Sequence, residues 1–187
     1  MKKRLFIAIN LPGDIKKKIA AEIEKIRFQF LSDIRFVDPE NWHITLAFLD
    51  YQSEELLYEI ISSMQETAEN FSMPKIEFTG INYGPVGKTP RMIWLNGSPE
   101  TSKALGEIKD ALATALFDKG VNFKEEYRGF KAHITLARFP QVSGEELPEI
   151  SKELNWQVTA KSIDLMESRL ARSGANYDKL SEADFNT

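Results

Sequence analysis

The chain has no cysteine, which excludes disulfides, a thiolate nucleophile and zinc ribbons. It has no excess of positive charge: 24 Lys and Arg against 28 Asp and Glu leave a net charge of −4. An extended basic face that tracks a nucleic-acid backbone is therefore disfavoured, while a local basic cluster in a cleft stays open. No apolar run approaches the roughly 18 residues of a membrane span. The start, Met1 to Arg4 followed by Leu5 to Ile9, has the outline of a signal peptide. That run soon meets Asn10, Pro12, Gly13 and Asp14, however, and no small-residue cleavage site follows. A first core strand is the expectation, with the cytoplasm as compartment. Histidine is scarce too, with only two in 187 residues. The remainder, 42% hydrophobic and 28% charged, has the composition of a folded domain able to bury a core, not of a disordered chain.

Both histidines open the same five residues, His43-Ile-Thr-Leu-Ala47 and His133-Ile-Thr-Leu-Ala137. Four given residues follow a histidine by chance with a probability on the order of 10⁻⁵. The alternation and the β-branched content of both stretches read as strands, whose successive side chains point to opposite faces. Ile44, Leu46 and Phe48 are expected in a core, with His43, Thr45 and Ala47 on the other face. Ile134 and Leu136 repeat the first set, and His133, Thr135 and Ala137 the second. Each copy thus offers an imidazole and a hydroxyl side by side.

The flanks repeat as well. Leu5, Ile7 and Ile9 alternate as a strand, and Asp14 is placed to cap a helix whose stripe is Ile15, Ile19, Ile23, Ile26 and Phe30. Ile34 to Val37 reads as a short strand forming a hairpin with the strand Trp42 to Leu49 across Asp38-Pro-Glu-Asn41. Ser53, Glu54 and Glu55 open a second helix, closed by Met73 and Pro74, and a strand runs from about Lys75 to Tyr83. Gly84 to Pro90 is a connector; it lacks the Gly-Lys-Ser/Thr ending of a phosphate loop. The pattern then restarts. Arg91 to Leu95 is a strand, Ser98 caps a helix carrying Leu105, Ile108, Leu112 and Ala115, and Gly120 stops it. A short strand at Val121 to Phe123 leads to the second histidine strand. Residues 144–154 read as a short helix, with strands from Trp156 to Leu170 and Tyr177 to Leu180 at the end. The histidines lie 90 positions apart, so the chain reads as an internal duplication, approximately 1–90 and 91–187. Two related halves facing each other would set His43 and His133 across one cleft.

The pair His-x-Thr-Leu-x-Phe (His43 to Phe48) and His-x-Thr-Leu-x-Arg (His133 to Arg138) resembles the two-histidine (2H) phosphoesterases. Within them the sequence is similar to the LigT-like RNA 2′,3′-cyclic phosphodiesterases, long called 2′-5′ RNA ligases. The likeness extends to the opening Arg4 to Ile9, the closing Ser162 to Leu170, Gly174 and Tyr177. It implies a single α+β domain over 1–187, bilobal, with pseudo-twofold duplicated halves whose antiparallel sheets face a central cleft and whose helices lie outside. It also implies opening of an RNA 2′,3′-cyclic phosphate to a 2′-phosphate, and in some members reverse joining through a 2′-5′ link. His43 as general acid and His133 as general base follow from the resemblance; the symmetry of the motifs alone leaves the roles undecided.

The chemistry suits the residues. Histidine titrates near neutrality, so a neutral base and a charged acid can coexist. Thr45 and Thr135 would donate to the non-bridging oxygens where charge develops. A metal is not expected, since neither copy has an acidic residue at a useful spacing. Neither is a cofactor. Arg138 falls on the core face by strict alternation. It reaches the phosphate if the strand ends, bulges or twists near Ala137, and otherwise ties the strand end to an acidic neighbour. Phe48 holds the matching place in the first copy, as a contact for a base or for the cleft. Trp42, Phe36, Tyr83 and Trp94 could stack a base but as strand aromatics suit a core, and Lys2, Lys3 and Lys16 to Lys18 read as solvated surface. The expected partner is an RNA with a 2′,3′-cyclic end, tRNA fragments among them, gripped at its terminus by a monomer. A phosphodiesterase of small cyclic or 2′-5′-linked nucleotides, or a non-catalytic nucleotide-binding module, are the alternatives.

Overall fold

The helices read from apolar stripes form and turn them to the core, although the first ends at Arg27, leaves Phe30 outside it and only partly buries Ile26. The computed structural model describes residues 1–30, 34–125, 129–140, 147–171 and 174–187. The elements, in order, are β1 (Lys2–Asn10), α1 (Gly13–Arg27), β2 (Arg35–Phe36), β3 (His43–Ser53), α2 (Leu57–Glu69), β4 (Lys75–Gly84), β5 (Met92–Gly97), α3 (Pro99–Asp118), β6 (His133–Arg138), β7 (Lys152–Thr159), β8 (Ser162–Ala171) and β9 (Gly174–Asp184). Ile15, Ile19 and Ile23 of α1 are buried, each worth about 1.5–3 kcal/mol of removed apolar surface. Ser98 caps α3, its hydroxyl accepting from the Thr101 amide, with Pro99 in the first turn. Gly120 ends the helix at φ +76°, a conformation that favours glycine. Asp14 does not cap α1; Pro12 holds that position and Asp14 sits in the first turn, where a carboxylate still favours the helix dipole.

The fold is α+β, as expected, with a large antiparallel sheet in the order β7-β4-β5-β6-β3-β1-β8-β9 and β2 added beside β6. Each histidine strand lies against the strand that opens its half, β3 on β1 and β6 on β5. The two groups meet at a seam recorded by one pair, Ile44 opposite Ile134. The C-terminal hairpin of β8 and β9 flanks β1, at the opposite end of the sheet from β7. Core residues line one sheet face, among them Ile7, Ile44, Leu46, Ile93, Leu95, Ile134 and Leu136, and the helices cover it. No described helix is long and apolar enough to cross a membrane.

Several expectations fail locally. Ile34 to Val37 forms no hairpin with β3. Its Arg35 and Phe36 pair with Arg138 and Ala137 of β6, because β3 parts from β6 beyond the seam and leaves that edge of β6 to be covered. Val121 to Phe123 is not a strand; Val121 is anchored by its amide to the Leu116 carbonyl, closing the end of α3. Of the helix expected over 144–154, residues 144–146 lie outside the described residues, 147–151 are irregular and Lys152 begins β7. The half-exposed alternation of β7 paired on β4 satisfies that stretch as an outer strand. The Trp156 to Leu170 run is split at Ala160 and Lys161 between β7 and β8.

Candidate active site

One irregularity, made twice, shapes the face opposite the core. In the β1/β3 ladder Ala8 pairs with Thr45 and Ile7 with Ala47, so Leu46 is left over. In the β5/β6 ladder Trp94 pairs with Thr135 and Ile93 with Ala137, so Leu136 is left over. A bulge at the same motif position turns two successive residues inward and resets the alternation. Ala47 is therefore buried, at 6% exposure, with Leu46, and Ala137 with Leu136. Neither alanine shares the histidine face. Phe48 is not a core residue but is 60% exposed, paired with Phe6, whose ring lies 4.9 Å from that of His43. Arg138 likewise leaves the core face and is exposed, with Nη1 donating to Met92 Sδ at 3.3 Å. It makes no ion pair with a described carboxylate.

The two imidazoles are held alike. His43 Nδ1 lies 2.7 Å from the Asn41 carbonyl and His133 Nδ1 2.7 Å from the Lys131 carbonyl. A carbonyl can only accept, so each Nδ1 carries a proton, and in the neutral ring Nε2 keeps its lone pair. His43 Nε2 lies 3.0 Å from the Thr45 hydroxyl, which donates to it. Counting one residue out from the Ile44/Ile134 pair along antiparallel strands sets His43 opposite Thr135 and Thr45 opposite His133. The four side chains therefore share one sheet face around the seam.

The surroundings of the pair differ. His43 sits in a small apolar cluster of Phe6, Ala8 and Met166 with Tyr177 against it, the Tyr177 ring meeting it edge-on at 5.4 Å. Desolvation there pushes its pKa down from 6.5 to about 4, against the hydrogen bond to Asn41, and the charges of Arg138, His133 and Lys16 push the same way. Lys16 is thus more than solvated surface: it bonds the carbonyl and carboxylate of Glu40 beside the turn that leads into β3. His133 is stacked on Trp94, ring centroids 3.9 Å apart. Trp94 lies flat because Gly84 has no side chain, and a Cβ there would fall inside the indole. Trp94 serves a histidine and not the core alone, and only the β5 register reveals it. Trp42, by contrast, is buried in the core. Among the described residues no three His, Cys, Asp or Glu side chains are grouped as a metal would require.

The profile of the 2′-5′ RNA ligase superfamily matches residues 15–172. The chain is similar to an RNA 2′,3′-cyclic phosphodiesterase of Archaeoglobus fulgidus, 29% identical with 95% of this chain and 97% of the relative covered. It is also similar to one of Methanocaldococcus jannaschii, 30% identical with 96% and 99% covered. Among solved structures it resembles E. coli LigT complexed with 3′-AMP, at 26% identity and a TM-score of 0.73 over the whole of both chains.

Proposed function

Because the chain belongs to the 2′-5′ RNA ligase superfamily, we propose that it hydrolyses the 2′,3′-cyclic phosphate at an RNA end to a 2′-phosphomonoester. His133 acts as general base, His43 as general acid, and no metal takes part. The protein does this as a cytoplasmic monomer, on tRNA fragments among other RNA ends. The observation that carries the reading is the repeated lock on the imidazoles: both Nδ1 protons are spent on a carbonyl two residues upstream. That lock turns each Nε2 to the histidine face, where the Thr45 hydroxyl stands 3.0 Å from that of His43.

The bond changes follow from that face. His133 Nε2 takes a proton from water, whose oxygen attacks phosphorus; the bond from phosphorus to O3′ breaks, and His43 Nε2 delivers its proton to O3′. The ribose keeps a 2′-phosphate and regains its 3′-hydroxyl. Thr45 and Thr135 donate to the non-bridging oxygens, and Arg138 supplies positive charge as negative charge grows there. Phe48, exposed beside Phe6, offers its face to the terminal base. In the free protein His43 is neutral at pH 7. The anionic substrate reverses the field of Arg138, His133 and Lys16, so the acid's proton is taken up as substrate binds. A 5′-hydroxyl in place of the water gives a 2′-5′ link through the same bond changes.

The test is product identity. Purified protein incubated with a short RNA ending in a 2′,3′-cyclic phosphate should leave a 2′-phosphate end, resolved by chromatography against both phosphate isomers. A 3′-phosphate, or no turnover, overturns the proposal.

A further inference from the structure

The sheet face that carries the histidines ends differently in its two halves. Beside His43 the end is closed. Asn10, the register partner of His43, donates to buried Asp164 at 2.7 Å, and Asn41, two residues before His43, donates from its side chain to the Ala175 carbonyl at 3.0 Å. The C-terminal hairpin thus occupies both groups. Beside His133 the matching residues are Asn96, its register partner, and Lys131, two residues before it. Neither side chain has a hydrogen-bonding or ionic partner among the described residues, and both line an open cavity of about 840 Å³ between α3 and the 129–132 segment. Cross-strand partners stand about 5 Å apart, so Asn96 links the wall of this cavity to the strand position of the second histidine.

Resting on the function proposed above, we propose that this cavity binds the nucleotide on the 5′ side of the terminal cyclic phosphate, making the substrate an oligonucleotide and not a mononucleotide. Its volume lies within the range of sites that enclose small ligands. Lys109 is neutralised by Asp110 and Glu125, each at 3.0 Å, which leaves Lys103 and Lys131 as the cations for the phosphodiester between the last two residues. The half-exposed Phe130 ring is a stacking surface for a base. Asn96 and Ser102 supply polar contacts, the Ser102 oxygen already accepting from the Ala132 amide and its proton being free to donate. Glu107, one turn along α3 from Lys103, puts a carboxylate in the same wall. A ribose hydroxyl or base amino group satisfies it, whereas a bare phosphate is repelled.

The experiment compares cytidine 2′,3′-cyclic phosphate with a tetraribonucleotide ending in the same group, on the full chain and on Lys103→Glu. The native protein should show the lower KM on the tetranucleotide. Lys103→Glu should raise that KM about tenfold or more, the usual worth of a lost charge-assisted contact, and leave the mononucleotide unchanged. Equal KM values for the two substrates in the native protein, or equal losses in the variant, overturn the proposal. Direct binding of a tetranucleotide ending in 2′-phosphate, followed by fluorescence anisotropy, decides the cavity whether or not turnover is seen. If the native protein turns over neither substrate but Lys103→Glu weakens this binding about tenfold, the catalytic reading fails and the cavity stands. Binding that is indifferent to Lys103→Glu removes the cavity and leaves the catalytic reading in place.

Discussion

Acidification should unfold this protein partly through a single imidazole. His43 is held neutral, its pKa lowered from 6.5 to about 4 by desolvation among Phe6, Met166 and Tyr177 and by the positive charges facing it. A group whose folded pKa is depressed adds stability that is fully present above its unfolded value. That stability is lost as pH falls through the window from 6.5 towards 4, because the unfolded chain binds the proton first. At about 1.4 kcal/mol per pKa unit, the loss between about pH 7.5 and about pH 4.5 is about 2.5 kcal/mol. Urea unfolding at both pH values isolates it when the native protein is compared with His43→Gln, since the carboxylates titrate in both proteins. The native protein should lose about 2.5 kcal/mol more than the variant across the interval. Equal losses would show that His43 is not desolvated as described. Catalysis carries the same signature. At pH 7 only about 10⁻³ of free His43 is protonated, so a nucleoside 2′-monophosphate should bind with net proton uptake, read by calorimetry in buffers of different ionisation enthalpy. Absence of uptake in the native protein, with binding intact, would refute the acid role.

Gly84→Ala should push the Trp94 indole onto His133. The variant should lose about 1–3 kcal/mol in thermal or urea unfolding and about 10²-fold in turnover through the displaced imidazole. Native turnover with a misplaced Cβ would mean the stack has no part in orienting the base. Thr45→Val and Thr135→Val should each lower kcat by about 10 to 10³, one oxyanion donor being lost while others remain; unchanged kcat in both would remove the hydroxyls from the transition state. Turnover should survive excess EDTA, and a loss that added divalent metal restores would contradict the metal-free route.

Much of this was legible in the sequence because the motif is short, repeated and periodic. Identical pentapeptides fixed the histidine and threonine on one face of two strands, and the apolar stripes at Ile15 to Ile23 and Leu105 to Leu112 placed two helices. The bulges were not legible: Leu46 and Leu136 lie in unbroken strand sequence with no glycine or proline to mark them. Simple alternation therefore set Phe48 on the wrong face, and it left Arg138 dependent on a break near Ala137 that the sequence alone did not place. Pairings between remote strands were also hidden, since nothing in Arg35 and Phe36 says that β6 will be their neighbour. For the same reason the stack of Trp94 on His133, and the closure of the His43 end by Asp164 and Ala175, appear only once strands distant in sequence are set side by side.

The central claim is that His43 and His133 act on one bond, and replacing each by alanine tests it most directly. On an RNA 2′,3′-cyclic phosphate, kcat should fall by about 10² to 10⁴ in each single variant, the worth of one positioned proton-transfer group. The double variant should lose less than the product of the two, as for residues that work as a unit. A His133→Ala variant with nearly native turnover, beside a His43→Ala variant with none, would contradict the account.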